Sequence, residues 1–120
     1  MTQGREADVR IRDAGDRIAP SGPGTWEGHE LGERATLVQF SSAFCQPCRA
    51  TRRVLSEVAK MVPGVAHVEI DAEAELDLVR ELRISKTPTV LVLDADGKVV
   101  LRATGQPRRA DVIAAIGKAV

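Results

Sequence analysis

This chain of 120 residues carries two cysteines, and they stand two residues apart in Cys45-Gln46-Pro47-Cys48. A thiol attacks or ligates as its thiolate, so the surroundings that favour loss of its proton decide what the pair does. Three chemistries fit the spacing: a dithiol that exchanges with disulfides, half of a zinc site, or two inert core thiols. Zinc needs four ligands. The histidines that could complete the set, His29 and His67, make neither a second C-x-x-C nor a close pair. A secreted disulfide scaffold would spread more cysteines along the chain.

The elements around the pair bear on this choice. Ala35-Thr36-Leu37-Val38-Gln39-Phe40 is short, apolar and β-branched enough to predict a buried strand. Over residues 46–62, Ala50, Val54, Leu55, Val58, Ala59 and Val62 recur at helical spacing with arginines between them, and Pro63-Gly64 ends the run. Cys45 therefore sits where a strand hands over to a helix N-terminus. Unpaired backbone N–H groups and partial positive charge at that end stabilise a thiolate, which favours Cys45 as nucleophile. Cys48, one turn on, is shielded by the helix and close enough to attack a mixed disulfide on Cys45. Pro47 suits an early helix position, where its missing N–H costs nothing. Arg49, Arg52 and Arg53 read as a solvated helix face.

Downstream, residues 65–70 alternate as a strand, and residues 72–82 predict a helix with acidic residues in its first turn. Thr89-Val90-Leu91-Val92-Leu93 is the strongest strand signal, preceded by Lys86-Thr87-Pro88. Asp94-Ala95-Asp96-Gly97 predicts a turn, residues 98–103 its hairpin partner, and residues 111–120 a closing amphipathic helix. The order β-α-β-α-β-β-α predicts an α/β domain: a central mixed sheet flanked by helices on both faces. Crossover helices give parallel pairing first, and the late hairpin adds antiparallel strands.

Upstream of Gly32 the signals weaken. Pro20-Ser21-Gly22-Pro23-Gly24 breaks any regular element, and Val9 and Ile11 between arginines are the only hint of a strand. Residues 1–30 are expected to be a flexible or loosely packed arm and residues 31–120 the domain, with Trp26 and Leu31 opening the ordered part. Zero formal net charge argues against a nucleic-acid or membrane-surface binder, and three aromatic residues (Trp26, Phe40, Phe44) are too few for a base-stacking platform. No run approaches the ~18 apolar residues of a membrane span, and the first residues mix arginine with acidic side chains, unlike a secretory signal. A cytoplasmic protein is expected, with tethering to a membrane through an upstream segment as the alternative.

Taken in order, Leu37-Val38-Gln39-Phe40, Phe44-Cys45-Gln46-Pro47-Cys48-Arg49, Val68-Glu69-Ile70-Asp71, Ile84-Ser85-Lys86-Thr87-Pro88-Thr89, Asp96-Gly97-Lys98 and Gly105 resemble the thioredoxin superfamily over about residues 31–120. The resemblance implies the thioredoxin fold and a thiol–disulfide oxidoreductase that reduces protein disulfides, with Cys45 attacking and Cys48 resolving. It implies that Pro88 is a cis-proline against the C-x-x-C loop. It further implies that the backbone at Thr87 pairs with an extended substrate, and that Gly105, Phe44, Gln46 and Pro47 line the same groove. No bound cofactor or metal is expected: the redox group is the Cys45–Cys48 disulfide itself. The implied partners are protein disulfide substrates and a thioredoxin reductase or other electron donor, with the chain itself a monomer.

The chain also departs from that pattern. Gln39 stands where thioredoxins usually carry a buried aspartate, His67 where a lysine is common, Ser41 in place of a second tryptophan, and Arg53 in place of a helix-kinking proline. His67 reads as a half-buried strand histidine. The segment 32–37 resembles the entry of membrane-tethered TlpA-type thiol reductases, but their insertion after the first helix is absent. A divergent thioredoxin-like protein is the resulting expectation. The competing readings are a binding module in the same groove with the dithiol as a redox latch, and an oxidant or isomerase.

Overall fold

The computed structural model describes residues 7–11 and 25–120. In chain order it runs β1 (Ala7–Ile11), β2 (Thr25–Trp26), β3 (His29–Glu30), β4 (Ala35–Ser41), α1 (Gln46–Met61) and β5 (Val65–Asp71). There follow α2 (Leu76–Glu81), β6 (Thr89–Asp94), β7 (Val99–Gly105) and α3 (Arg109–Ala119). Five strands form one sheet in the order β1-β7-β6-β4-β5, and β2 and β3 form a small separate hairpin.

All seven residues of β4 are buried, because it lies inside the sheet with helices over both faces. Alternation then sorts its side chains. Ala35 and Leu37 join Leu55 and Val58 of α1, Val90 and Val92 of β6, and Val112, Ala115 and Ile116 of α3 in one apolar cluster. Val38 and Phe40 join Trp26, Ile70, Leu78 of α2, Leu91 and Leu93 in the other. Helices on both faces of a mixed sheet are thus what the alternating pattern predicts, and Gln39 falls on the α1 face.

β4 pairs parallel with β5, as the first crossover requires, but antiparallel with β6. Parallel pairing through both crossovers was the simpler expectation, and the length of α2 explains the difference. Its six residues span ~9 Å, against ~23 Å for a seven-residue strand, so it does not return the chain to the start of the sheet. β6 consequently begins at the edge of the sheet where β4 ends, with Thr89 opposite Phe40. The helix is shorter than the expected 72–82 because Asp71 captures the residues after it. Its carboxylate accepts from the Glu73 N–H, and its carbonyl accepts from Ala74 and Glu75.

Within the expected arm, two pieces belong to the folded domain. β1 pairs antiparallel with β7 along its whole length, Ala7 opposite Gly105 through Ile11 opposite Leu101. Trp26 is buried in the α2-side cluster. Residues 1–6 and 12–24 of that arm lie outside the described residues. The entry to β4 needs Gly32: its N–H donates to Thr36 Oγ1 at 2.9 Å, and a Cβ there would stand 2.3 Å from the Ala35 carbonyl oxygen.

Candidate active site

Cys45 caps α1, with an extended backbone and its Sγ accepting from the Cys48 N–H at 3.2 Å. Gln46 and Pro47 fill the first two helical positions, both exposed, and no acidic side chain sits in that first turn to compete for the helix's positive end. Sulfur at the N-cap therefore takes both the hydrogen bond and the dipole, the arrangement that favours a thiolate. Cys45 is half-buried and Cys48 fully buried. The two are joined as a disulfide, with their Cα atoms 5.2 Å apart, an ordinary spacing for such a bond. Phe44, just before the pair, takes a left-handed φ of +58° and points into solvent, 98% exposed.

The antiparallel register of β6 brings the second constellation alongside. The Thr87–Pro88 peptide is cis, Pro88 is buried, and the Thr87 carbonyl oxygen lies 4.0 Å from Cys45 Sγ. Ser42 and Thr87 share a hydroxyl–hydroxyl hydrogen bond of 2.7 Å that ties the two loops together. Gly105 donates its N–H to the Pro88 carbonyl at 2.8 Å and adopts φ +97°, a conformation glycine takes without strain. Cys45, Cys48, Thr87, Pro88 and Gly105 thus converge, with Phe44, Gln46 and Pro47 on the exposed rim. Ser42 was not singled out from the sequence, where a serine after a strand has no distinguishing signal.

Behind Cys48 lies a polar network. Gln39, with no exposed surface, donates from Nε2 to the Cys48 carbonyl at 2.8 Å and to Ser41 Oγ at 2.9 Å. A carbonyl only accepts, so Gln39 Oε1 is the atom facing His67 Nε2 at 3.2 Å, and that nitrogen carries the proton. Arg52 makes a bidentate pair with Glu69, both contacts 2.7 Å. That pair, more than any other contact, holds the Glu69 carboxyl below its ordinary value.

His67 is half-buried, as its alternation in the strand predicts, and burial lowers its pKa from 6.5, with Glu69 pulling upward and Arg52 adding to the depression. The folded protein therefore binds this proton less readily than the unfolded chain. Stability is expected to fall as pH drops below about 6.5 and to stop falling once the folded-state pKa is passed. Glu69 acts in a lower window, its stabilisation being lost as pH falls below 4.5 through its depressed value. Urea unfolding from about pH 7.5 to about 5.5 should show a declining midpoint in the wild type and a flatter one in His67→Gln. Equal slopes would contradict a protonation-resistant His67.

A family model described as a thioredoxin-like domain matches residues 28–120, spanning the strand, the C-x-x-C helix, the cis-proline and the closing hairpin and helix. The chain belongs to the thioredoxin superfamily. It is 32% identical over 82 residues to the thioredoxin of Chlamydia muridarum, covering 68% of this chain and 79% of that one. It is 29% identical over 80 residues to thioredoxin H2-1 of Oryza sativa, covering 67% of this chain and 57% of that protein. The chain spans less than two thirds of the length of the plant thioredoxins it matches. Among solved structures it is similar to chloroplastic thioredoxin z, with TM-score 0.63 and 29% identity over 72% of this chain and 78% of that one. Thioredoxin-2 of the malaria parasite matches the fold at TM-score 0.70 and 19% identity, covering 85% of this chain and 99% of that one. Among the described residues, no helix of this thioredoxin-like protein is long and apolar enough to cross a membrane.

Proposed function

We propose that this protein reduces protein disulfides, with Cys45 as nucleophile and Cys48 as resolving thiol. The observation that carries the reading is the asymmetry of the pair: Cys45 is only half-buried and caps a helix N-terminus, while Cys48 is fully buried within bonding distance of it. The Cys45 thiolate attacks one sulfur of a substrate disulfide. A Cys45–substrate bond forms, the substrate's own S–S bond breaks, and the first substrate thiolate leaves and takes a proton. Cys48 then attacks Cys45 Sγ, closing the intramolecular disulfide and releasing the second substrate thiolate, which takes up the Cys48 proton. Two electrons have passed to the substrate, and an external dithiol donor, a thioredoxin reductase or an equivalent, returns the pair to its reduced form.

The remaining groups fit this path. Phe44 offers an exposed apolar contact beside the nucleophile, and the Thr87 backbone at the cis-proline offers an extended edge for substrate main chain. A reducing cytoplasm is the compartment that suits such a donor of electrons.

The test is the reduction potential of the pair, by equilibration against defined thiol buffers with thiol trapping read by mass. A value near the thioredoxin region, about −270 mV, is expected; one above roughly −200 mV would replace this reading with an oxidant or isomerase. Failure to form the disulfide at all would leave the binding-module reading standing instead.

A further inference from the structure

Gln39 is a fully buried polar side chain behind the disulfide, and its amide is bonded through both its nitrogen and its oxygen. Its Nε2 bonds the carbonyl of Cys48 itself, and the same nitrogen bonds Ser41 Oγ. Its Oε1 is held by His67 of the neighbouring strand β5. Ser41 also helps hold the Glu69 carboxyl below its ordinary value, and Glu69 grips Arg52, one helical turn beyond Cys48. The first two turns of α1 are thus clamped to the sheet at two points: at Cys48 through an uncharged bridge to His67, and at Arg52 through an ion pair. Only the first clamp touches a redox residue. A buried amide left without partners is costly, so this orientation of Gln39 is strongly determined.

We propose that Gln39, with His67 behind it, is a positioning pair for the resolving step: it pins the backbone of Cys48 so that Sγ is presented to a mixed disulfide on Cys45. This rests on the reductase reading above. Cys45 sits ahead of the clamp, on the cap, and has no direct bond to Gln39; its Sγ accepts from the Cys48 N–H. Loosening the clamp bears on the second step directly, through Cys48 itself, and on the first only through that N–H. In the second step the gain from holding two thiols at bonding distance is an effective concentration, which small displacements erode steeply.

The experiment separates the two steps. Reduced protein is mixed with an excess of a small disulfide-bonded protein and quenched with acid at successive times, and the mixed disulfide is counted by mass. Wild type, Gln39→Leu, His67→Leu and His67→Gln are compared. In Gln39→Leu the ratio of resolution rate to attack rate should fall about tenfold, the effect of one buried hydrogen bond, so that mixed disulfide accumulates. The same tenfold loss should raise the reduction potential of the pair by about 30 mV. His67→Leu should move both readouts the same way, and His67→Gln, whose amide can still donate to Gln39 Oε1, should restore most of the loss. His67 is half-buried near the sheet edge, so its two variants carry the test if Gln39→Leu does not fold. An unchanged ratio in the folded variants of a wild type that turns over, or equal slowing of both steps, overturns the positioning role alone. A wild type that forms no mixed disulfide overturns the reductase reading beneath it.

Discussion

Cys45→Ser is expected to reduce disulfide-reducing activity by roughly 10³-fold or more, because a serine hydroxyl is not a competent nucleophile toward sulfur at neutral pH. Cys48→Ser is expected to lose turnover as completely but at a different point. It should still attack, then stop with one substrate molecule bound through Cys45, visible by mass as a stoichiometric adduct that a dithiol reverses. The contrast follows from the asymmetric burial of the two sulfurs and from the Cys48 N–H that serves Cys45 Sγ at the helix cap. Trapping by Cys45→Ser and none by Cys48→Ser would reverse the assigned roles. Full turnover by both would remove the dithiol from the mechanism.

The second large effect is on stability. Trp26 is 1% exposed and packs with Val38, Phe40, Leu78, Leu91 and Leu93 under α2. Trp26→Ala should cost about 3–5 kcal/mol, the range for emptying a buried aromatic site. In a domain whose total stability is of order 5–15 kcal/mol, that leaves a marginal fold. Trp26→Phe should cost much less, about 1–2 kcal/mol. The indole Nε1 has no hydrogen-bond partner among the described residues, so phenylalanine removes an unpaired buried N–H together with the lost volume. Urea unfolding followed by circular dichroism measures both, since Trp26 is the only tryptophan and the chain has no tyrosine to report by fluorescence. Equal small losses in the two variants would place Trp26 outside the cooperative core.

Such a result would bear on where the domain begins. Breaker residues 20–24 suggested a division near residue 31, because local composition reports whether a segment can build an element alone. It does not report that a two-residue strand can deliver one large side chain into a distant cluster. β1 poses the same problem: Val9 and Ile11 are too few to predict a strand, and what makes it one is the β7 edge that accepts its hydrogen bonds.

Periodicity was enough to place the strands and helices of residues 35–120, because buried faces at period 2 and 3.6 leave their mark in local order. The two cysteines at a strand-to-helix junction were likewise legible as a pair, and the structure joins them as a disulfide. Three features had no local signal. The antiparallel sense of β6 depends on how far the short α2 carries the chain, and it is this sense that brings Thr87 to Cys45. The Ser42–Thr87 bond joins residues 45 apart. Gln39 could be read as a polar residue in an apolar strand, standing where thioredoxins usually carry a buried aspartate, but with no sign of its partners. Its hydrogen bonds to Cys48 and His67 arise because β4, α1 and β5 meet on one face of the sheet. Composition and spacing thus reached as far as interactions along the chain and one turn or strand away. The contacts between elements that hold the Cys48 backbone were decided by tertiary packing, since a hydrogen bond across the fold depends on where both partners are carried and on neither neighbourhood alone.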